Sequence, residues 1–254
     1  MTTSRMSSET QLTFWEHLDE LRTCIIRSLV VVVVAAIVAF FLKEELFSLI
    51  LAPRSSQFVS YRLLGIDTGF DIRLMNTGLT EQFMTHIRVS LYVGLLLASP
   101  YVLYQLFCFI APGLYQKERK AAVWIVLSAY LMFMLGTAVD YLLIFPLTVR
   151  FLGTYQVSPD VANMLTLQSY TDTLIGMSFV MGVVFELPVV CALLGKTGII
   201  TGEMMSHFRR HAVVAILIVS AIITPTTDAF TLLVVALPIW LLYEFSIYIV
   251  KFCK

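Results

Sequence analysis

The sequence predicts an all-α polytopic membrane protein: six transmembrane helices in a bent, cupped bundle, with both termini on the cytoplasmic side. Three observations predict it. Apolar residues make up 59 % of the chain and charged residues only 13 %, against about 25 % charged in soluble domains, and the mean hydropathy is +0.87. Apolar runs long enough to cross a bilayer recur between short charged or turn-rich links. Lys and Arg gather on one side of the resulting alternation.

The chain 1–254 is predicted to form a single integral membrane domain, with spans at about 25–42, 83–109, 121–145, 174–194, 210–226 and 230–250. Before the first span, Phe14, Leu18, Leu21 and Ile25 recur at helical spacing, while Glu16, Asp19, Glu20, Arg22 and Arg27 occupy other faces. This is an interfacial lead-in that runs into the membrane. The start is polar, and the first apolar run is too long for a cleaved signal peptide and lacks a small-residue cleavage pattern. A turn-rich segment with Pro53, Gly65, Gly69 and Gly78 leads to the second span, which His86 and Arg88 enter. A short loop carrying Lys117, Glu118, Arg119 and Lys120 leads to the third, which Pro146 ends.

The fifth apolar core, 212–224, is the exception. Thirteen residues rise only about 20 Å, short of a full crossing. Such a helix draws in polar flanks or thins the bilayer locally. Pro100, Pro188 and Pro238 fall inside the second, fourth and sixth spans. A proline there deletes a hydrogen bond and bends the rod, hence the cupped shape. Counting Lys and Arg beside the spans gives eleven on the side of the termini and five on the other, four of those five in one long segment. The termini are therefore placed in the cytoplasm.

The formal net charge is zero, so nothing favours nucleic acid. Cys24, Cys108, Cys191 and Cys253 form no CxxC pair and are packing residues. No hydrolase constellation, phosphate loop or metal cluster emerges, and neither enzymatic activity nor a cofactor is expected. His207 and His211 are four residues apart, but Arg209 and Arg210 between them oppose a cation.

What remains is acid. Glu186 lies about nine residues inside its apolar run, about 14 Å into a layer about 30 Å thick. An ionisable group at that depth marks a functional position, structural pairing with a neighbouring helix being the plainer alternative. Glu20 and Glu118 sit beside basic residues at the membrane edge. Local salt bridges account for them at little energetic gain. The sharper reading is a two-carboxylate receptor for a cationic guest, for which arginine's planar fork is the natural match. A midplane acid among broken helices also fits an ion-coupled small-molecule transporter using Glu186 as its coupling site.

Several blocks are more specific. They are His17-Leu-Asp-Glu-Leu-Arg22, Ala52-Pro53, Ser99-Pro-Tyr-Val-Leu-Tyr-Gln105, Phe109-Ile-Ala-Pro-Gly-Leu-Tyr115 with Glu118-Arg119, Tyr141 with Phe145-Pro-Leu147, Phe185-Glu-Leu-Pro188 and Thr224-Pro225 with Asp228. In this order and at this spacing they resemble the TatC family of twin-arginine protein translocase subunits over nearly the whole chain. The resemblance implies a multi-pass protein of the cytoplasmic (inner) membrane that binds twin-arginine signal peptides of folded cargo. It also implies assembly with single-span subunits of the TatA and TatB type, self-association within the lipid, and export driven by the protonmotive force. By that similarity the signal-peptide site comprises Glu20, Leu21, Arg22, Phe109, Pro112, Tyr115, Glu118 and Arg119. Glu186 is the membrane carboxylate that receives partner helices, and Pro53 and Asp228 serve on the periplasmic side. The chain departs from the family at Leu232, where a glutamine is usual, and at Asp140, where small apolar residues are usual. For Asp140 the sequence suggests an interfacial anchor or a local partner such as Arg150.

Overall fold

The computed structural model describes residues 14–63, 65, 69–110, 119–156, 158, 163–224 and 228–252. The chain is mostly helical: α1 (Phe14–Phe41), α2 (Lys43–Ile50), a 3-10 turn (Ala52–Arg54), α3 (Val59–Leu63), α4 (Glu81–Ile110), α5 (Arg119–Val139), a π-turn (Asp140–Ile144), α6 (Phe145–Thr154), α7 (Leu167–Val184), α8 (Leu187–Lys196), α9 (Gly202–His207), α10 (Arg209–Ile223) and α11 (Ala229–Phe252). One small departure from an all-helical chain is a parallel ladder, β1 (Leu74–Met75) on β2 (Leu165–Thr166).

Among the described residues, five helical stretches are long and apolar enough to cross a membrane: Leu18–Phe41, Glu81–Phe109, Val123–Thr154, Leu167–Lys196 and Ala229–Phe252. Helix α10 has only 15 residues, about 22 Å of rise.

The prolines show how such helices stay whole. Pro100 cannot donate to the Leu96 carbonyl, and the Ser99 hydroxyl does so instead at 2.7 Å. Pro146 likewise abandons the Leu142 carbonyl, which takes a hydrogen bond from the Ser60 hydroxyl of α3. The third apolar stretch therefore does not stop at Pro146. It passes through the π-turn and continues to Thr154. At Pro188 the pattern tightens: α7 ends at Val184 and α8 starts at Leu187. Phe185 and Glu186 keep a right-handed helical backbone between them, with the Glu186 N–H on the Val183 carbonyl at 3.1 Å. The fourth stretch is thus one apolar rod with a joint at Phe185–Glu186, where the proline predicts a bend.

Helix α1 packs along α4, α5 along α7, and α11 against α8 and α10. Close approach is paid in glycine: a side chain on Gly94 would meet the Ala36 backbone at 2.5 Å, and one on Gly136 the Met181 carbonyl at 2.6 Å. One apolar core gathers Ala39, Val89, Phe145 and Tyr170 near the α2–α3 end. A second gathers Ile144, Met177, Met181, Val235 and Ile239 in the middle.

Side chains close the α2–α3 end by taking over helix-terminal carbonyls that have no partner within their own helix. His86 Nε2 lies 3.1 Å from the Phe40 carbonyl, which only accepts, so Nε2 carries the hydrogen. Tyr141 donates to Leu49 O at 2.6 Å and Tyr170 to Ile50 O at 2.9 Å. Glu81 ties the entry of α4 to that of α7. Its Oε2 accepts from the Thr77 and Gly78 backbone N–H groups and its Oε1 from that of Gln168.

Candidate functional site

Where α1 runs beside the far end of α4, the two helices leave a groove of about 520 Å³, lined by Asp19, Glu20, Thr23, Cys24, Arg27, Gln105, Cys108 and Phe109. Helical spacing explains the α1 wall. Glu20, Thr23, Cys24 and Arg27 recur three and four residues apart and so share a face. Cys24 is buried, Glu20 and Arg27 are exposed, and Phe109 is half-buried. Gln105 donates to the Tyr101 hydroxyl at 2.6 Å, one turn back along α4. Carboxylates, a guanidinium and a ring thus meet in one trough.

Of the residues expected to receive a peptide, the structure brings Glu20 and Phe109 together. Leu21 is half-buried beside them and Arg22 is exposed. Arg119 opens α5, while Pro112, Tyr115 and Glu118 lie outside the described residues. Asp19, Arg27 and Gln105 also line the groove, and sequence reasoning missed them as groove residues. Their helical offset from Glu20 and Phe109 is the signal that finds them.

Glu186 occupies the residue just before α8, at the joint Pro188 creates. Its Oε1 is buried with no hydrogen-bond partner among the described residues. The surface around it is open and apolar: Phe179, Val183, Leu187 and Val190 are all exposed. A carboxyl group thus sits beside an exposed apolar stripe, where an ionisable side chain is costly to hold.

At the α2–α3 end Pro53 is buried in the 3-10 turn. Its carbonyl accepts from the Tyr61 hydroxyl at 3.0 Å, and the same hydroxyl reaches Pro146 O at 2.8 Å. Burial raises the Tyr61 phenol above its ordinary range, with Arg150 offsetting part of the rise, so it stays a donor. Asp228 Oδ2 accepts from Thr231 N at 2.7 Å, the N-cap of α11. Leu232 follows half-buried and gives its backbone N–H to the Asp228 carbonyl at 3.2 Å.

Other expectations change. His207 and His211 fall on separate helices, α9 and α10, on either side of Phe208, so they share no continuous face. Among the described residues no cluster suits a metal. Two ion pairs were not foreseen. Arg209 of α10 reaches Glu244 of α11 at 2.7 Å, and Arg88 of α4 places Nη1 2.8 Å from both oxygens of Asp172 of α7.

The family model for TatC, described as Sec-independent protein translocase protein (TatC), matches residues 16–238. The chain belongs to the TatC family. It is 32 % identical to the TatC protein of Carboxydothermus hydrogenoformans over 244 residues, 96 % of this chain and 94 % of that one. It is also 34 % identical to that of Deinococcus radiodurans, covering 92 % of this chain and 83 % of the relative. The fold agrees with a crystal structure of the twin-arginine translocase receptor TatC at a TM-score of 0.77, with 33 % identity over 94 % of this chain and 99 % of that one. TatC proteins are components of a protein translocase, not enzymes. This one is a multi-pass protein of the inner membrane with a role in twin-arginine protein transport.

Proposed function

We propose that this TatC-family chain is the receptor core of its translocase. The groove between α1 and α4 takes the twin-arginine signal peptide of a folded cargo protein at the cytoplasmic face. The observation that carries this is the shared lining of that groove by Glu20 and Phe109. The carboxylate matches a guanidinium fork, and the ring offers an apolar surface and a face for cation–π stacking. Glu118, between α4 and α5 in the sequence, is assigned the second carboxylate, and Leu21, Arg22, Pro112, Tyr115 and Arg119 are assigned to the same peptide site.

Glu186 receives single-span partner subunits of the TatA and TatB type, its carboxyl group meeting a polar group of the incoming helix beside the exposed apolar stripe. Pro53 and Asp228 shape the periplasmic side through the contacts of Tyr61 and the cap of α11. Helix α10 is the short fifth span beside them, which brings the crossings to six. An even number of crossings puts both termini in the cytoplasm, in keeping with the Lys and Arg count. Copies of the chain associate in the lipid, and the protonmotive force drives export. Family membership favours this reading over solute transport coupled through Glu186.

Photo-crosslinking tests the groove. A crosslinker at Phe109 should capture a twin-arginine peptide, and one at Trp124 on α5, which lies outside the groove, should not. Equal capture at both positions would remove the groove from the account.

A further inference from the structure

Asp140 takes no part in the groove or the joint at Glu186, and it is no interfacial anchor. It is fully buried at 0 % exposure. The π-turn begins at this residue, and its backbone carbonyl accepts from the Phe145 N–H; such turns mark functional positions in helices. Its side chain points to α7, where the Ser178 hydroxyl donates to Oδ2 at 2.5 Å. The other oxygen, Oδ1, is buried without a partner among the described residues.

Tyr92 approaches from α4 beside Ser178, Asp140 and Thr137. Its hydroxyl is also buried and outside hydrogen-bonding geometry with any described residue. Around this cluster lie Ile144, Met177 and Met181. Among the described residues, Tyr92 of α4 is the titratable side chain that interacts with Asp140. Tyr141, next in sequence, turns away to the Leu49 carbonyl. No Lys, Arg or His among the described residues pairs with Asp140. A charge without a counter-ion is costly there, and a hydrogen on Oδ1 removes it. The unpartnered Oδ1 is the atom that takes that hydrogen.

We propose that Asp140, with Ser178 and Tyr92, is a proton-exchange site within the bundle, separate from Glu186. The Oδ1–H bond forms as an O–H bond of hydronium breaks and releases water, and the reverse step returns the proton to water. Ser178 holds Oδ2 in both states. The site is about 12 Å along α7 from Glu186, eight residues at 1.5 Å each.

Infrared spectroscopy of the full-length protein in liposomes, titrated with pH, reads this directly through the carbonyl stretch of protonated carboxyl groups. One band should be present at low pH and vanish at high pH. It should be lost completely in Asp140→Asn and kept in Glu186→Gln. It should move to higher frequency in Ser178→Ala, where no hydroxyl draws on Oδ2. The Ser178→Ala shift keeps the assignment testable if Asp140→Asn does not fold. A pH-dependent spectrum identical to wild type in Ser178→Ala would overturn the proposal. So would an Asp140 band that persists, or is missing, at every pH. The readout needs neither peptide nor partner, so it stands or falls apart from the receptor role.

Discussion

Glu20 of α1 and Phe109 of α4 line the same groove, a carboxylate from one wall and a ring from the other. That meeting depends on how closely the two helices run. Their closest documented approach is at Gly94, whose missing side chain leaves room for the backbone of Ala36.

Gly94→Leu should therefore act at a distance. The Ala36 backbone cannot step aside, so α1 must move, at a cost of about 1–3 kcal/mol for overpacking. The thermal midpoint in detergent should fall, and peptide capture in the groove should fall about tenfold. Gly176→Ala is the control, because nothing lies within 4 Å of an added Cβ there; it should leave both unchanged.

Tyr61→Phe removes the hydroxyl shared by the carbonyls of Pro53 and Pro146. Leaving buried acceptors unpaired costs about 1–3 kcal/mol, which thermal unfolding should show. The pH dependence has a definite sign. Burial raises the folded-state phenol above the ordinary value of 10.0, so its contribution is complete below about pH 10. Above that it declines as pH climbs. The stability gap between wild type and variant should be constant from neutral pH to about 9 and shrink beyond 10.

Glu186→Ala should weaken partner assembly while the subunit itself stays folded, since its Oε1 has no partner to lose within the described chain. An interhelical hydrogen bond in a membrane is worth about 1 kcal/mol, or roughly fivefold in association. Co-purification of single-span subunits should drop by that order, and Glu186→Gln, which still accepts, should retain most of it. Unchanged assembly in Glu186→Ala would take this carboxylate out of the partner interface.

The long spans were legible in the sequence because a hydrocarbon layer demands long apolar runs. So was the place of Glu186 inside the fourth of them, because an acid stands out in an apolar run. The breaks were not. Proline shows where a carbonyl loses its donor, but not that Ser60, 82 residues from Leu142, replaces it and carries the third stretch past Pro146. At Pro188 the helix instead tightens into a short step at Phe185–Glu186. Asp140 looked interfacial because the helix was expected to end there; its burial follows from the helix continuing. Arg209–Glu244 and Arg88–Asp172 join residues 35 and 84 positions apart, separations that no helical spacing rule reaches. The tyrosines that close the α2–α3 end bond to backbone carbonyls, which every residue carries, so composition does not single them out.

Binding of a labelled twin-arginine peptide to wild type and to Glu20→Gln, each against a twin-lysine peptide, tests the receptor groove most directly. The fork of arginine needs a carboxylate to grip. Wild type should prefer arginine over lysine by about tenfold or more, corresponding to about 1.4 kcal/mol, and Glu20→Gln should lose most of that preference. An equal preference for arginine in both proteins would contradict the account.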